Sequence, residues 1–326
     1  MADADAPMET ASFLSAEWVE QPVAYNTRDL LLYALGVGCT KLRHTFEQDM
    51  DFEAFPTYPV VLSFKGPDVD VVDFPSDTMI EGPEMPELPG WMGVALDGER
   101  YIEKVEPLDP EGGELTLRSR LVGIHKRGSG ASVETESELL DEDGAVLYRM
   151  VSGSFLVGAD GFADSGVSHS ETVEPPARPA DRVVEVETSA QQAALYRLSG
   201  DYNPLHIDPD TAEAFGFEQP ILHGLATLGL TARAVLEEFG GSDAARWRAM
   251  KVRFAAPVLP GDALVVEMWE EGEERVVVLV KSKASGVVVI NNCYVQLQPA
   301  EDGSESDESD EDSESDDDGT ANRAKL

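Results

Sequence analysis

Apolar residues recur at helical spacing from Asn26 to Val37 after a polar start, with Asn26 or Thr27 available as the cap. The period then changes. Segments near 59–64, 101–106, 114–124, 132–140 and 145–157 alternate or run apolar with β-branched content, between Gly, Pro and Asp turns, and predict strands. Asp143-Gly144 lies between the last two and suits the tight reversal of a hairpin. From Ala159 to Asp181 the pattern breaks, with Pro175, Pro176 and Pro179 among glycines and serines, and the composition is that of a linker. Beyond it the grammar returns: a strand over 182–187, a helix over Ala190–Leu198, a loop, and a long helix over Leu222–Phe239. Strands near 248–256, 263–270, 274–283 and 286–297 follow. A helix with several antiparallel strands, met twice, predicts an α+β protein with two similar halves. From Glu301 to Thr320 no apolar residue occurs, and that stretch is expected to be a disordered, solvating tail.

Composition narrows the function classes. A chain of 326 residues has room for one large domain or two modest ones. Its 42% of hydrophobic residues fits a soluble globular protein, and no apolar run is long enough to span a bilayer. Met1 to Glu9 is acidic, which argues against a secretory or transit peptide. Cys39 and Cys293 show no metal-ligand spacing and read as buried thiols in a reducing compartment. The net charge of −39 opposes binding to nucleic acid, which needs cations against phosphate. Twelve of the carboxylates lie between Glu301 and Asp318, so most of the acidity belongs to the rest of the chain. An anionic ligand would need local cations; Lys126, Arg127, Lys251 and Arg253 are the candidates.

The chemistry concentrates in Ser199-Gly200-Asp201-Tyr202-Asn203-Pro204-Leu205-His206. Pro204 lacks an N–H and pushes Asn203 toward extended geometry, so no helix runs through this turn. Asp201, Asn203 and His206 can therefore converge on one point. A carboxylate and an imidazole around one water are the minimum equipment for moving a proton and a hydroxyl together. Taken alone, Asp-x-Asn-Pro is turn chemistry, and Asp208-Pro209 reads as a helix cap. His206, with Leu222-His223-Gly224-Leu225 at the next helix start, shifts the reading to catalysis. Gly224 opens that helix, where backbone N–H groups lack partners and the dipole is positive. There a missing Cβ lets a reacting oxygen approach. His223 reads as a structural hydrogen-bonding residue.

These motifs resemble the signature of the enoyl-CoA hydratase 2 family, MaoC-like hydratases and dehydratases with a hot-dog fold. Ser-Gly-Asp-x-Asn-Pro-x-His followed by Pro220-Ile221-Leu222-His223-Gly224-Leu225 carries the resemblance. Thr27-Arg28-Asp29 with Leu30 to Gly36, Phe55-Pro56-Thr57-Tyr58-Pro59, Leu96-Asp97-Gly98-Glu99, Gly128-Ser129-Gly130 and Arg253-Phe254-Ala255-x-Pro257 extend it over residues 15 to 298. It implies a double hot-dog, each repeat a long helix wrapped by an antiparallel sheet. The repeats would span 15–158 and 182–298, joined by the 159–181 linker and followed by the 299–326 tail. It further implies hydration of trans-2-enoyl-CoA to (3R)-3-hydroxyacyl-CoA in fatty-acid β-oxidation, with Asp201 and His206 as a dyad. Asn203 would orient water or substrate, Gly224 would serve the oxyanion, and Tyr196, Phe254, Gly98 and Arg127 would meet substrate and coenzyme A.

The first half carries no Asp-x-Asn-Pro-x-His, so one catalytic site per chain is expected, with the first half accommodating the acyl chain. Two positions depart from the family: Asp97 stands where His is frequent, and Arg127 where Lys is. The resemblance implies no metal and no cofactor, coenzyme A being part of the substrate, and a homodimer. Ala324-Lys325-Leu326 differs by one residue from a peroxisomal address and implies recognition by an import receptor; the alternative location is the cytoplasm. With no dehydrogenase segment, a stand-alone hydratase is expected. The competing readings are a MaoC-like dehydratase on another acyl thioester and a catalytically silent acyl-CoA-binding protein, which intact Asp201 and His206 disfavour.

Overall fold

A computed structural model of the chain describes residues 6–14 and 17–299. The acidic tail, its serines and Ala324-Lys325-Leu326 lie outside the described residues. Eleven strands are described: β1 (Val19–Asn26), β2 (Ala95–Lys104), β3 (Gly112–Arg127), β4 (Gly130–Leu140), β5 (Val146–Val157), β6 (Ser165–Gly166), β7 (Arg182–Glu187), β8 (Trp247–Phe254), β9 (Ala263–Glu271), β10 (Arg275–Ser282) and β11 (Val288–Leu297). The α-helical segments are α1 (Thr27–Gly36), α2 (Leu42–Thr45), α3 (Leu62–Lys65), α4 (Asp77–Ile80), α5 (Gln192–Tyr196), α6 (Pro209–Ala214) and α7 (Gly224–Phe239).

The strands form one antiparallel sheet in the order β1-β3-β4-β5-β2-β8-β11-β10-β9-β7, with β6 paired to β3. Adding six to each first-half label turns 1-3-4-5-2 into 7-9-10-11-8, which is the second half read from its own edge. The duplication expected from the sequence is thus written in the topology. The halves join along β2 and β8, where Tyr101 faces Lys251 and Ile102 faces Met250.

Strand faces follow the two-residue period. Leu264, Val266 and Met268 of β9 and Val276, Val278 and Val280 of β10 point into the main core. Helix α7 lies in that core with eleven of its sixteen residues buried, Leu225 to Thr231 among them without a break. A helix apolar nearly all round is one that protein covers on all sides. In the first half, α1 starts at a capping box: Asn26 Oδ1 accepts the Asp29 N–H (3.1 Å), and Asp29 Oδ2 accepts the Asn26 N–H (3.0 Å).

One expectation about local structure changes, and two features are added to the sequence reading. Residues 59–64, read as a strand, form a 3-10 turn (Tyr58–Val61) running into α3. A short unbroken apolar run has no period to separate the two, and Pro59 at the first turn favours the helical form. Strand β1 had no counterpart in the sequence reading. It holds Pro22, whose missing N–H is tolerated because β1 is the sheet's edge. The 159–181 linker is an ordered strap across the sheet face opposite α7. The His169 N–H donates to Glu134 Oε2 (2.6 Å), Ser170 Oγ to Glu99 Oε1 (3.0 Å), Val173 N–H to Asn292 Oδ1 (3.2 Å), and Trp269 Nε1 to the Arg178 carbonyl (2.9 Å). Val173 closes a small apolar cluster with Trp269, Val277 and Tyr294 beneath it.

Candidate active site

Helix α5 runs into a 3-10 turn (Arg197–Ser199) that ends at Gly200, whose φ of 137° is open to glycine. A Cβ at Gly200 would also lie 2.7 Å from the Lys65 Cβ, so this reversal packs directly on α3. Asp201 follows, and its Oδ1 accepts the Asn203 N–H (3.2 Å). Asn203 has φ −53° and ψ 119°, the extended form that a following proline selects. Its Oδ1 accepts the Leu205 N–H (3.0 Å) and caps the short turn Pro204–His206. The turn chemistry is therefore present, and its Asx bonds bring Asp201 and His206 together.

His206 Nδ1 lies 2.9 Å from the Ile221 carbonyl. A carbonyl only accepts, so Nδ1 carries the hydrogen and Nε2 keeps a lone pair. By the same logic His223 donates Nε2–H to the Asp201 carbonyl (3.1 Å). The two imidazoles stack, with centroids 3.7 Å apart and planes at 28°. Side-chain ligand atoms of Asp201, His206 and His223 lie within 4.8 Å of one another, and all three residues are buried. His206 Nε2 and His223 Nδ1 keep their lone pairs, so these nitrogens and the Asp201 carboxylate are the group that could hold an ion or a water.

Burial sets the ionisation. It pushes Asp201 up to about 6, with Asp97 adding to the rise and the Asn203 N–H and Arg100 opposing it. It pushes His206 down to about 4, opposed by the Ile221 hydrogen bond. His223 is driven well below the usual histidine range by burial and then by His206. Near pH 7 the site therefore holds a carboxylate beside two neutral imidazoles.

His223 is also the N-cap of α7, so Gly224 is the helix's first residue, beside the dyad. A Cβ at Gly224 would lie 3.4 Å from the Phe254 ring, which covers this helix start. Asp201 and His206 thus come together, with Asn203 capping their turn and Phe254 against Gly224. Tyr196 is fully buried against Tyr33 and His223 and packs beside the motif. Gly98 sits at the register shift in β2 between Asp97 and Glu99, where a Cβ would lie 2.9 Å from the Gly153 carbonyl. Arg127 is committed to the strap, donating to Ser168 Oγ (3.1 Å) and lying 3.8 Å from Glu134. Lys251 is 3% exposed under the same strap, beside Glu99, and is not free for a phosphate.

Sequence reasoning missed the Ile221 carbonyl, which no side-chain motif can show. His223 makes a structural hydrogen bond of the kind expected, and what the sequence did not show is its stack on His206. Arg100 was not singled out, although Asp97 was noted as a departure; Arg100 donates Nε to both carboxylate oxygens of Asp97.

Residues 23–158 match the MFE-2 hydratase 2 N-terminal domain, and residues 171–292 match the MaoC like domain. Peroxisomal multifunctional enzyme type 2 of Mus musculus is 40% identical over 307 residues, covering 90% of this chain. The chain spans 40% of the mouse protein's length. Enoyl-CoA hydratase 2, peroxisomal, of Arabidopsis thaliana is 33% identical over 311 residues, covering 89% of this chain and 96% of the plant protein. The crystal structure of a MaoC-like dehydratase from Phytophthora capsici superposes with a TM-score of 0.84 at 39% identity, covering 89% of this chain and 98% of that one. With both halves matched and the dyad motif intact, the chain belongs to the enoyl-CoA hydratase 2 family of MaoC-like proteins and has their double hot-dog fold.

Proposed function

We propose that the chain hydrates trans-2-enoyl-CoA reversibly to (3R)-3-hydroxyacyl-CoA, without metal or cofactor. The observation that carries this reading is the buried carboxylate of Asp201 beside the bare Nε2 of neutral His206, at the N-terminus of α7. A water between them donates one hydrogen to each. Asp201 holds a proton more readily than His206 does, so Asp201 takes the proton while the hydroxyl adds to Cβ. His206 aims the water. Negative charge moves onto the thioester oxygen, where the N–H groups at Gly224 receive it. Asp201 then returns the proton to Cα, and the carboxylate is restored. Dehydration is the same path reversed, as the Phytophthora protein's description as a dehydratase suggests.

The proposal assigns the acyl chain to the first half, where a recess of about 30 Å³, lined by Pro59, Val60, Leu117 and Met150 among others, lies between α3 with its preceding turn and the sheet. A homodimer, a place in β-oxidation, and import through Ala324-Lys325-Leu326 belong to the same proposal, and the relatives named as peroxisomal support the location. A fluorescent fusion ending in that tripeptide, compared with one lacking it, tests the location.

The deciding experiment follows loss of enoyl-thioester absorbance with trans-2-enoyl-CoA esters of several lengths, and resolves the product by chirality. Formation of the (3R) alcohol, lost in Asp201→Asn and His206→Ala, is the expected result. Tight acyl-CoA binding without turnover would make the chain a silent binding protein.

A further inference from the structure

We infer that His223 is a positioning residue of the reaction, holding the dyad in register with the N-terminus of α7. This rests on the hydration proposed above. Two ties of the side chain and one of the backbone meet in this residue, which is 1% exposed. Its ring covers the His206 ring at 3.7 Å, and so fixes the plane in which the Nε2 lone pair lies. Its Nε2–H holds the Asp201 carbonyl, and so fixes the backbone from which the carboxylate projects. Its own carbonyl accepts the Ala226 and Thr227 N–H groups, so the same residue starts the helix that faces the thioester oxygen.

What sets His223 apart from an ordinary core residue is its second nitrogen. Nδ1 is buried and has no hydrogen-bond partner. An unpaired buried acceptor is unfavourable, and a phenylalanine would fill the same space without it. A residue needed only for packing has no use for that arrangement. A residue that must be both a flat ring against His206 and an N–H donor to Asp201 is confined to this chemistry, since neither Phe nor Gln supplies both. His206 needs such support because its Nδ1 partner is a backbone carbonyl, which restrains the ring edge but leaves its plane to the stack.

The test compares His223→Phe, which keeps a ring and loses the donor, with His223→Gln, which keeps a donor and loses the ring. Both are assayed for kcat and KM with a trans-2-enoyl-CoA ester that the wild type hydrates, and the folded fraction is measured by circular dichroism. The expected result for each is a kcat lowered about tenfold to hundredfold per folded molecule, as misplaced reacting groups cost, with KM within about twofold. If Phe fails to fold, the Gln variant carries the same expectation. An unchanged kcat per folded molecule would overturn the inference and leave His223 a helix cap. A loss of activity that merely tracks the folded fraction would overturn it too. A wild type inert toward every enoyl thioester would overturn the hydratase reading itself, before His223 is at issue.

Discussion

Arg100 directs its Nε at both carboxylate oxygens of Asp97, at 2.9 and 3.0 Å, across the β2 bulge at Gly98. Both charges reach Asp201, and in opposite senses: Asp97 raises its proton affinity and Arg100 lowers it. Asp97, read in the sequence as a departure from the family, is thus one half of a pair that tunes the dyad.

Asp201 must be ionised to take a proton from water. Its value near 6 and the His206 value near 4 place the acid limb of kcat/KM near pH 6, governed by the carboxylate. Asp97→Asn removes a like charge and moves the limb down; Arg100→Gln removes the opposing charge and moves it up. Each shift is expected to be about half a pH unit for charges in a partly solvated site. A pH–rate profile from 4.5 to 8 measures both. Shifts of the same sign would show that the pair acts through structure and not charge.

Gly224 separates catalysis from stability. An added Cβ would stand 3.4 Å from the Phe254 ring, a contact that a small movement of the ring absorbs. In the proposed mechanism the thioester oxygen approaches the helix N–H groups here, and the same methyl group would hinder it. Gly224→Ala is therefore expected to keep its unfolding midpoint within a few degrees and to lose about 100-fold or more in kcat, as when an oxyanion donor is removed. A normal kcat would move the oxyanion site elsewhere.

A buried carboxylate that is partly ionised opposes folding. The folded-state value of Asp201 lies above its unfolded value, so its ionisation leaves stability intact below about pH 4. Stability is lost as pH rises through 6. Asp201→Asn removes that loss and should stabilise the protein at pH 7.5 by up to about 3 kcal/mol while abolishing turnover. The gain should shrink as pH falls toward 4, where the wild-type carboxyl is protonated in both states. Urea midpoints of the two proteins at pH 7.5 and 5 measure it; a gain independent of pH would assign it to packing instead.

Much of this was legible because the informative signals are local. The Asp201–His206 turn announces itself through Pro204 and its Asx residues, and strands β7 to β11 through clean alternation. What stayed hidden depends on contacts distant in sequence. Whether Pro22 ends a strand depends on that strand being the sheet's edge. Whether 59–64 is strand or helix depends on what packs over it. Whether a Pro-rich stretch is a loose tether or a strap depends on Glu134, Glu99 and Asn292 beneath it. The fate of Lys251, a free cation in the sequence and a buried one under the strap, follows from the same crossing.

The two repeats also pack where Gly229 of α7 faces Val37, just past the end of α1. A Cβ at Gly229 would lie 2.3 Å from Val37 Cγ1 and 3.2 Å from the Tyr33 hydroxyl, and both residues are fully buried. Alanine is the better helix former, by up to about 1 kcal/mol at an exposed site. Here the clash decides the sign, because neither neighbour has space to retreat, and Gly229→Ala should destabilise by about 1–3 kcal/mol. Val37→Ala alone leaves a small cavity and should destabilise as well. If the steric conflict is the cause, adding Val37→Ala to Gly229→Ala should recover part of the loss, a non-additivity that urea unfolding of the double-mutant cycle reads directly. Strict additivity would mean that α7 slides away from α1 to make room. In that case kcat should fall with stability, since the same helix carries Gly224 at its start.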